Sequence, residues 1–158
     1  LSTVFLYRPK DKKIIWLKSG PWLAQHDIDY LGDGVFSIYG NNNYLNMPGY
    51  KIDRENPNAK NSTKLYFFDT KNNNVTTPFE KPMNSDVFNR GSSGTQRVLN
   101  KTNLFIDIDF SLYFMDKDEI IWKFDKLVGK ENKSWFRWST FFSNEEINLD
   151  WIDKTKCK

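Results

Sequence analysis

Cysteine and histidine are nearly missing from this chain: Cys157 and His26 are the only examples among 158 residues. A single cysteine excludes an intrachain disulfide scaffold. One histidine with one cysteine also excludes a His/Cys zinc cage built within the chain. No apolar run approaches the ~18–20 residues that a membrane-spanning helix requires, so no membrane span is expected. The sequence has no phosphate-loop signature, no GxSxG and no HExxH, which removes the usual motif arguments for nucleotide hydrolases, serine hydrolases and zinc proteases. Charge of one sign does not dominate either. Lys+Arg number 23 and Asp+Glu 20, a formal net charge of +3. The signs alternate, as in Lys10-Asp11-Lys12-Lys13 and Lys117-Asp118-Glu119. Nucleic-acid binding gathers positive charge on one face; these charges read as solvated surface, and no nucleic-acid partner is expected.

What the chain does have is aromatic and β-branched residues in short runs. Hydrophobic residues make up 39% and aromatics 16%, enough to build a core and too much for a disordered chain. Candidate strands cover residues 4–8, 13–17, 27–31, 35–39, 64–69, 95–99, 103–109, 112–115 and 120–124. Their Val, Ile, Phe, Tyr and Trp content suits a pleated, half-buried surface, and Gly, Asn, Asp and Lys turns separate them. No segment before Lys130 shows a sustained helical period with caps. The fold class is therefore all-β.

The strands repeat. Leu6-Tyr7, Leu65-Tyr66 and Leu112-Tyr113 each open a hairpin. The first runs through residues 10–13 into Ile14-Ile15-Trp16; the third matches it without a gap through residues 116–119 into Ile120-Ile121-Trp122. The middle copy, residues 65–79, turns through Lys71-Asn72-Asn73-Asn74. Another hairpin precedes the second and third copies, turning at Gly32-Asp33-Gly34 and at Asn100-Lys101-Thr102. The period from Leu65 to Leu112 is about 47 residues, and four-stranded units of ~40–50 residues are the mark of β-propeller blades.

Residues 1–24 then read as the end of one blade, 25–82 as a blade with a long insertion at 41–62, 83–130 as a blade, and 131–158 as a tail. A ring needs ~4–8 blades, so the reading expects a partial propeller of about two to three blades and further blades upstream in the same protein. Leu rather than Met at position 1 fits either a removed leader or a piece of a longer protein. A free-standing β-sandwich of similar strand count is the rival architecture. The insertion is rich in turn signals and has little to bury. In the tail, Trp135, Trp138 and Trp151 surround Phe136, Phe141 and Phe142. Residues 145–152 suit a short helix capped by Ser143 or Asn144, and an irregular tail is the alternative.

Two stretches carry a more specific signal. One is Gln25-His26-Asp27-Ile28-Asp29-Tyr30-Leu31-Gly32-Asp33-Gly34, ending near Tyr39-Gly40-Asn41-Asn42. The other is Ser92-Ser93-Gly94-Thr95-Gln96-Arg97-Val98-Leu99, followed by Asn103-Leu104-Phe105-Ile106. In this order the two resemble the bacterial-type arylsulfotransferases, which work without a nucleotide sulfate donor. In that family a His-Asp strand leads into a Leu-Pro-Asn-Gly-Asn turn, and a later Gln-Arg-Leu-Pro-Asn-Gly-Asn strand leads to a hairpin ending in Val-Val-Trp. Here Ile120-Ile121-Trp122 closes that hairpin, and Trp138-Ser139 looks like the family's final Trp-Ser-Arg segment. Two positions depart from the pattern: Gly32 stands for the first proline, and Asn100-Lys101-Thr102 for Pro-Asn-Gly.

The resemblance implies a six-bladed propeller of which this chain is the C-terminal part, with His26 at the place of the nucleophile that becomes sulfated. It implies an aryl sulfate donor and a phenolic acceptor, no cofactor, and a periplasmic or extracellular setting. Ser92 or Ser93 falls near the family's site hydroxyl, as a substrate-binding residue. The family's other site groups, two histidines, an asparagine and an arginine, correspond to blades that would precede residue 1. A neutral imidazole is a sound nucleophile near neutral pH, since the free side chain titrates at about 6.5. Asp27 or Gln25 could orient that imidazole only against the alternation of side chains along a strand. A histidine opening a strand also serves ordinary structural roles, so a non-catalytic propeller that binds a ligand or partner, or a purely structural repeat protein, remains the alternative. Asp107-x-Asp109 reads as solvent-facing acids rather than a catalytic pair. Asp27-x-Asp29 with Asp33-Gly34 lacks the spacing and closing Glu of a calcium loop.

Overall fold

A computed structural model describes residues 2–42, 63–84, 95–108 and 111–125. Its elements in chain order are β1 (Thr3–Arg8), β2 (Lys13–Ser19), β3 (Gln25–Tyr30), β4 (Val35–Gly40), β5 (Lys64–Asp69), β6 (Asn74–Thr76), α1 (Glu80–Met83), β7 (Gln96–Leu99), β8 (Asn103–Ile108), β9 (Ser111–Met115) and β10 (Ile120–Asp125). The strands form three antiparallel sheets: the hairpin β1-β2, the meander β3-β4-β5-β6 and the meander β7-β8-β9-β10. Spatial order equals chain order in each, as expected when short turns join neighbours. The described part is all-β apart from the single turn α1, and its open four-stranded sheets are consistent with a partial propeller.

Local chemistry explains the turns. In the β3–β4 turn Gly32, Asp33 and Gly34 all have positive φ, at 88°, 56° and 84°. A Cβ on Gly34 would also lie 2.8 Å from Thr70 Oγ1. Between β7 and β8, Thr102 N donates to Leu99 O, and Asn100 and Lys101 have φ of 51° and 57°. That double left-handed bend is the mirror-image turn whose twist matches a hairpin. After β5 and β9 the same device recurs. Asp69 Oδ1 accepts from the amides of Lys71 and Asn72 at 2.8 and 3.3 Å, and Asp116 Oδ1 from those of Asp118 and Glu119 at 2.8 Å each. These backbone bonds hold both carboxyls below the ordinary carboxylate range. The two aspartates close the matching segments Leu65-Tyr66-Phe67-Phe68-Asp69 and Leu112-Tyr113-Phe114-Met115-Asp116, so the repeat extends to its turn chemistry.

Side-chain alternation turns the sheets into layers. On β4 and β5, Ile38, Tyr66 and Phe68 join Val4 and Trp22, with Trp16 against them, in one core. Their neighbours Tyr39 and Leu65, with Phe67 packed alongside, join Leu104, Ile106, Tyr113 and Met115 in the other. The β3–β6 sheet is thus sandwiched, the β1-β2 hairpin on one face and the β7–β10 sheet on the other. Burial on both faces explains the nearly unbroken apolar run of β5. Each fully buried large side chain here is worth about 1.5–3 kcal/mol.

Two elements differ from expectation. The three-residue strand β6 closes the middle hairpin without standing out as a strand, because Asn74, Val75 and Thr76 offer one apolar side chain between two polar ones. The turn α1 forms where no helix is expected. It has no side-chain cap; burial of Phe79 and Met83 between the second and third sheets holds it, so tertiary packing overrides weak propensity. The insertion from residue 43 onward and the tail with its expected helix lie outside the described residues.

Candidate active site

His26 is the second residue of β3, an edge strand of its sheet. Its orientation comes from an irregularity. His26 pairs with Tyr39 and Ile28 pairs with Ile38, leaving Asp27 as an extra residue with φ 53°. One inserted residue reverses the facing of everything before it. Counted back from Ile28 by strict alternation, His26 would point with Ile28 and Tyr30 toward the β1-β2 hairpin. The bulge instead puts it on the face of Tyr39, toward the third sheet. The imidazole lies against the buried Tyr39 ring, centroids 4.7 Å apart and planes tilted by 33°.

The bulge is tied to β7, the corresponding edge strand of the next sheet. Gln96 N donates to Asp27 Oδ2 at 2.6 Å, and Gln96 Nε2 donates to the Asp27 carbonyl at 2.6 Å and to Ser37 Oγ at 3.1 Å. One residue earlier, Thr95 N and Oγ1 donate to the carboxylate of Asp107 at 2.7 and 2.6 Å. Two carboxylates therefore hold consecutive residues at the start of β7. Asp107 is fully buried, which corrects the expectation of a solvent-facing acid: Thr95, which donates to it, lies just ahead of the neighbouring strand β7, an arrangement that spacing along β8 does not reveal. Asp109 lies outside the described residues.

The electrostatics around the bulge are acidic on one side. Burial, then the neighbouring Asp27, pushes the Asp29 carboxyl above its ordinary range, with Arg97 opposing. His26 Nε2 is buried and has no hydrogen-bond partner among the described residues. An unpartnered buried polar atom costs about 1–3 kcal/mol, and such atoms call for a specific explanation. Neither flanking side chain supplies a partner. The Asp27 carboxylate is taken by Gln96, and Gln25 Nε2 donates to Thr3 O at 3.0 Å.

A model of the arylsulfotransferase (ASST) family matches residues 1–119. The chain belongs to the arylsulfotransferase family. No curated protein and no solved structure gives a significant match. The match runs from before β1 to the turn ahead of β10 and so includes the first two sheets, β7, β8 and β9 of the third, and both motif-bearing stretches. Within this arylsulfotransferase segment the structure brings His26, Asp27, Ser37, Tyr39 and Gln96 together. Ser92 and Ser93 lie outside the described residues; β7 begins at Gln96, shortly after them in sequence. Sequence reasoning used Gln96 only as part of a family pattern and did not single out Tyr39 or Ser37. Pairing across β3 and β4 is the signal that would have found Tyr39.

Proposed function

We propose that this chain forms part of an arylsulfotransferase β-propeller in which His26 carries a sulfuryl group from an aryl sulfate to a phenol. The observation behind the reading is a family match over the segment whose sole histidine has a ring nitrogen, Nε2, without a hydrogen-bond partner among the described residues. In the first step an imidazole nitrogen attacks the sulfur of the aryl sulfate, an N–S bond forms, and the bond from sulfur to the aryl oxygen breaks. The phenolate leaves with the electron pair, and the histidine is left sulfated. An acceptor phenol then loses its proton to solvent, which returns one to the departed phenolate, and attacks the same sulfur; the N–S bond breaks with its electron pair going back to nitrogen, and the neutral imidazole returns. Dividing one difficult transfer into two gives ping-pong kinetics. Ser92 or Ser93 would donate a hydroxyl hydrogen bond to the sulfuryl oxygens, where fixed donors are most effective. The donor brings its own activated sulfuryl group, so the reading needs no cofactor.

The proposal assigns residues 1–24, 25–82 and 83–130 to successive blades of a six-bladed ring, with 131–158 as its closing tail, and places the protein in the periplasm or outside the cell. The exposed apolar side chains of β1-β2 support missing neighbours: Phe5 and Leu17 are each 58% exposed, beside Leu6, Tyr7, Ile14 and Ile15. Aromatic and aliphatic residues on both faces of a two-stranded hairpin suit a sheet that others cover.

The test uses the complete protein containing this chain, with p-nitrophenyl sulfate and a phenol. The expected result is nitrophenolate release that falls at least about a thousandfold in His26→Ala, with a sulfuryl increment on the His26 peptide by mass spectrometry. Turnover indifferent to His26→Ala removes the nucleophile assignment. A second reading, a ligand-binding propeller without transfer chemistry, draws on the enclosure of Nε2. It predicts no sulfohistidine under the same conditions.

A further inference from the structure

We infer that Asp27 and Gln96 are positioning residues for His26, holding the one-residue bulge that turns the imidazole toward β7; the catalytic meaning of this role rests on the transfer function proposed above. Strict alternation would send His26 to the opposite face, among the side chains packed on the β1-β2 hairpin, and the extra residue at Asp27 reverses it. A bulge of this kind needs a residue that accepts positive φ, and aspartate does so more readily than most; Asp27 sits at 53°. It also needs something to stop the strand from slipping back into register. Gln96 supplies that from the neighbouring sheet. Its amide takes the Asp27 carboxylate and its side chain takes the Asp27 carbonyl, both at 2.6 Å. The same Nε2 reaches Ser37 Oγ at 3.1 Å, so β3, β4 and β7 meet at one carboxamide. Neither residue touches the imidazole through these bonds; each acts through the backbone on which the imidazole stands.

The experiment compares Asp27→Gly, Asp27→Asn and Gln96→Leu in the complete protein. Glycine keeps positive φ accessible and removes the carboxylate, so it separates loss of the tie from loss of the fold; asparagine keeps both the turn preference and an acceptor. Folding is checked by circular dichroism. Carbethoxylation of His26 by diethyl pyrocarbonate is followed by peptide mass spectrometry, and kcat and KM are measured with p-nitrophenyl sulfate and a phenol. In Asp27→Gly and Gln96→Leu, folded as the parent, carbethoxylation of His26 is expected to rise about tenfold as the tied bulge opens. For a nucleophile moved out of line, kcat is expected to fall about a hundredfold with KM nearly unchanged. Asp27→Asn should restore both readouts to near the parent values. Parent-like carbethoxylation in the folded Gly and Leu variants would overturn the inference, as would parent-like kcat in an active enzyme. If the parent transfers no sulfuryl group but the carbethoxylation differences appear, the positioning role stands and the transfer reading is what fails.

Discussion

Asp29 shows how one side chain reports on its surroundings. It sits beside the bulge on the face of Ser37, partly buried, and burial together with Asp27 outweighs Arg97 in raising its proton affinity. A carboxyl whose folded pKa lies above its unfolded value favours the fold most when protonated. That contribution is complete below the unfolded pKa, about 3.9 for aspartate, and is lost as pH rises through the folded value. Asp29→Asn should therefore raise stability at pH 7, by about 0.5 kcal/mol or less because solvent still screens this partly buried site, and have no effect near pH 3. Urea midpoints at the two pH values check this; a gain that persists at low pH would place its cause elsewhere. At this scale the sequence marked His26 as the residue of interest but left its facing open. Alternation along β3 would have turned it the wrong way, because no pattern of residue types announces a bulge at Asp27.

The hairpins were the most legible elements. All three Leu-Tyr segments begin hairpins, and the turns at residues 32–34 and 100–102 are where Gly-Asp-Gly and Asn-Lys-Thr suggested. Asn100-Lys101 also shows a local conflict. Lysine at φ 57° occupies a left-handed conformation that disfavours side chains, and its exposed ion pair with Asp33 at 3.2 Å is worth little. Lys101→Gly, giving the Asn-Gly pair that suits this turn, should stabilise the chain by about 0.5–1 kcal/mol. The check is a higher thermal midpoint with unchanged strand content. Elements with little apolar patterning were less legible. β6 and α1 are short, and each exists because a neighbour's buried face receives Val75 or Met83.

At the scale of the whole molecule, the governing feature is the stack of three sheets among the described residues, with unequal cover. The middle sheet is packed on both faces, whereas β1-β2 leaves six large apolar side chains 41–58% exposed and β10 exposes Ile121, Trp122 and Phe124. Exposed apolar surface on this scale marks interfaces or association. Produced alone, residues 1–158 should self-associate and bind a hydrophobic dye such as ANS, and the complete protein should do neither. Size-exclusion chromatography and dye fluorescence would decide. A monodisperse, dye-silent segment would mean that the exposed faces need no neighbouring blades.

The class of fold, the repeat with its turns, and the family were legible in the amino-acid order, because these depend on local propensity, on turn residues and on motifs that are contiguous in the chain. Folding in three dimensions was needed to set which way His26 faces, to let Gln96 tie β7 to the bulge at Asp27, and to bury Asp107 on Thr95. Those outcomes depend on register between strands and on hydrogen bonds between residues far apart in sequence: 69 positions separate Gln96 from Asp27. A single extra residue changes the facing of a side chain without changing the composition or periodicity from which strands are read.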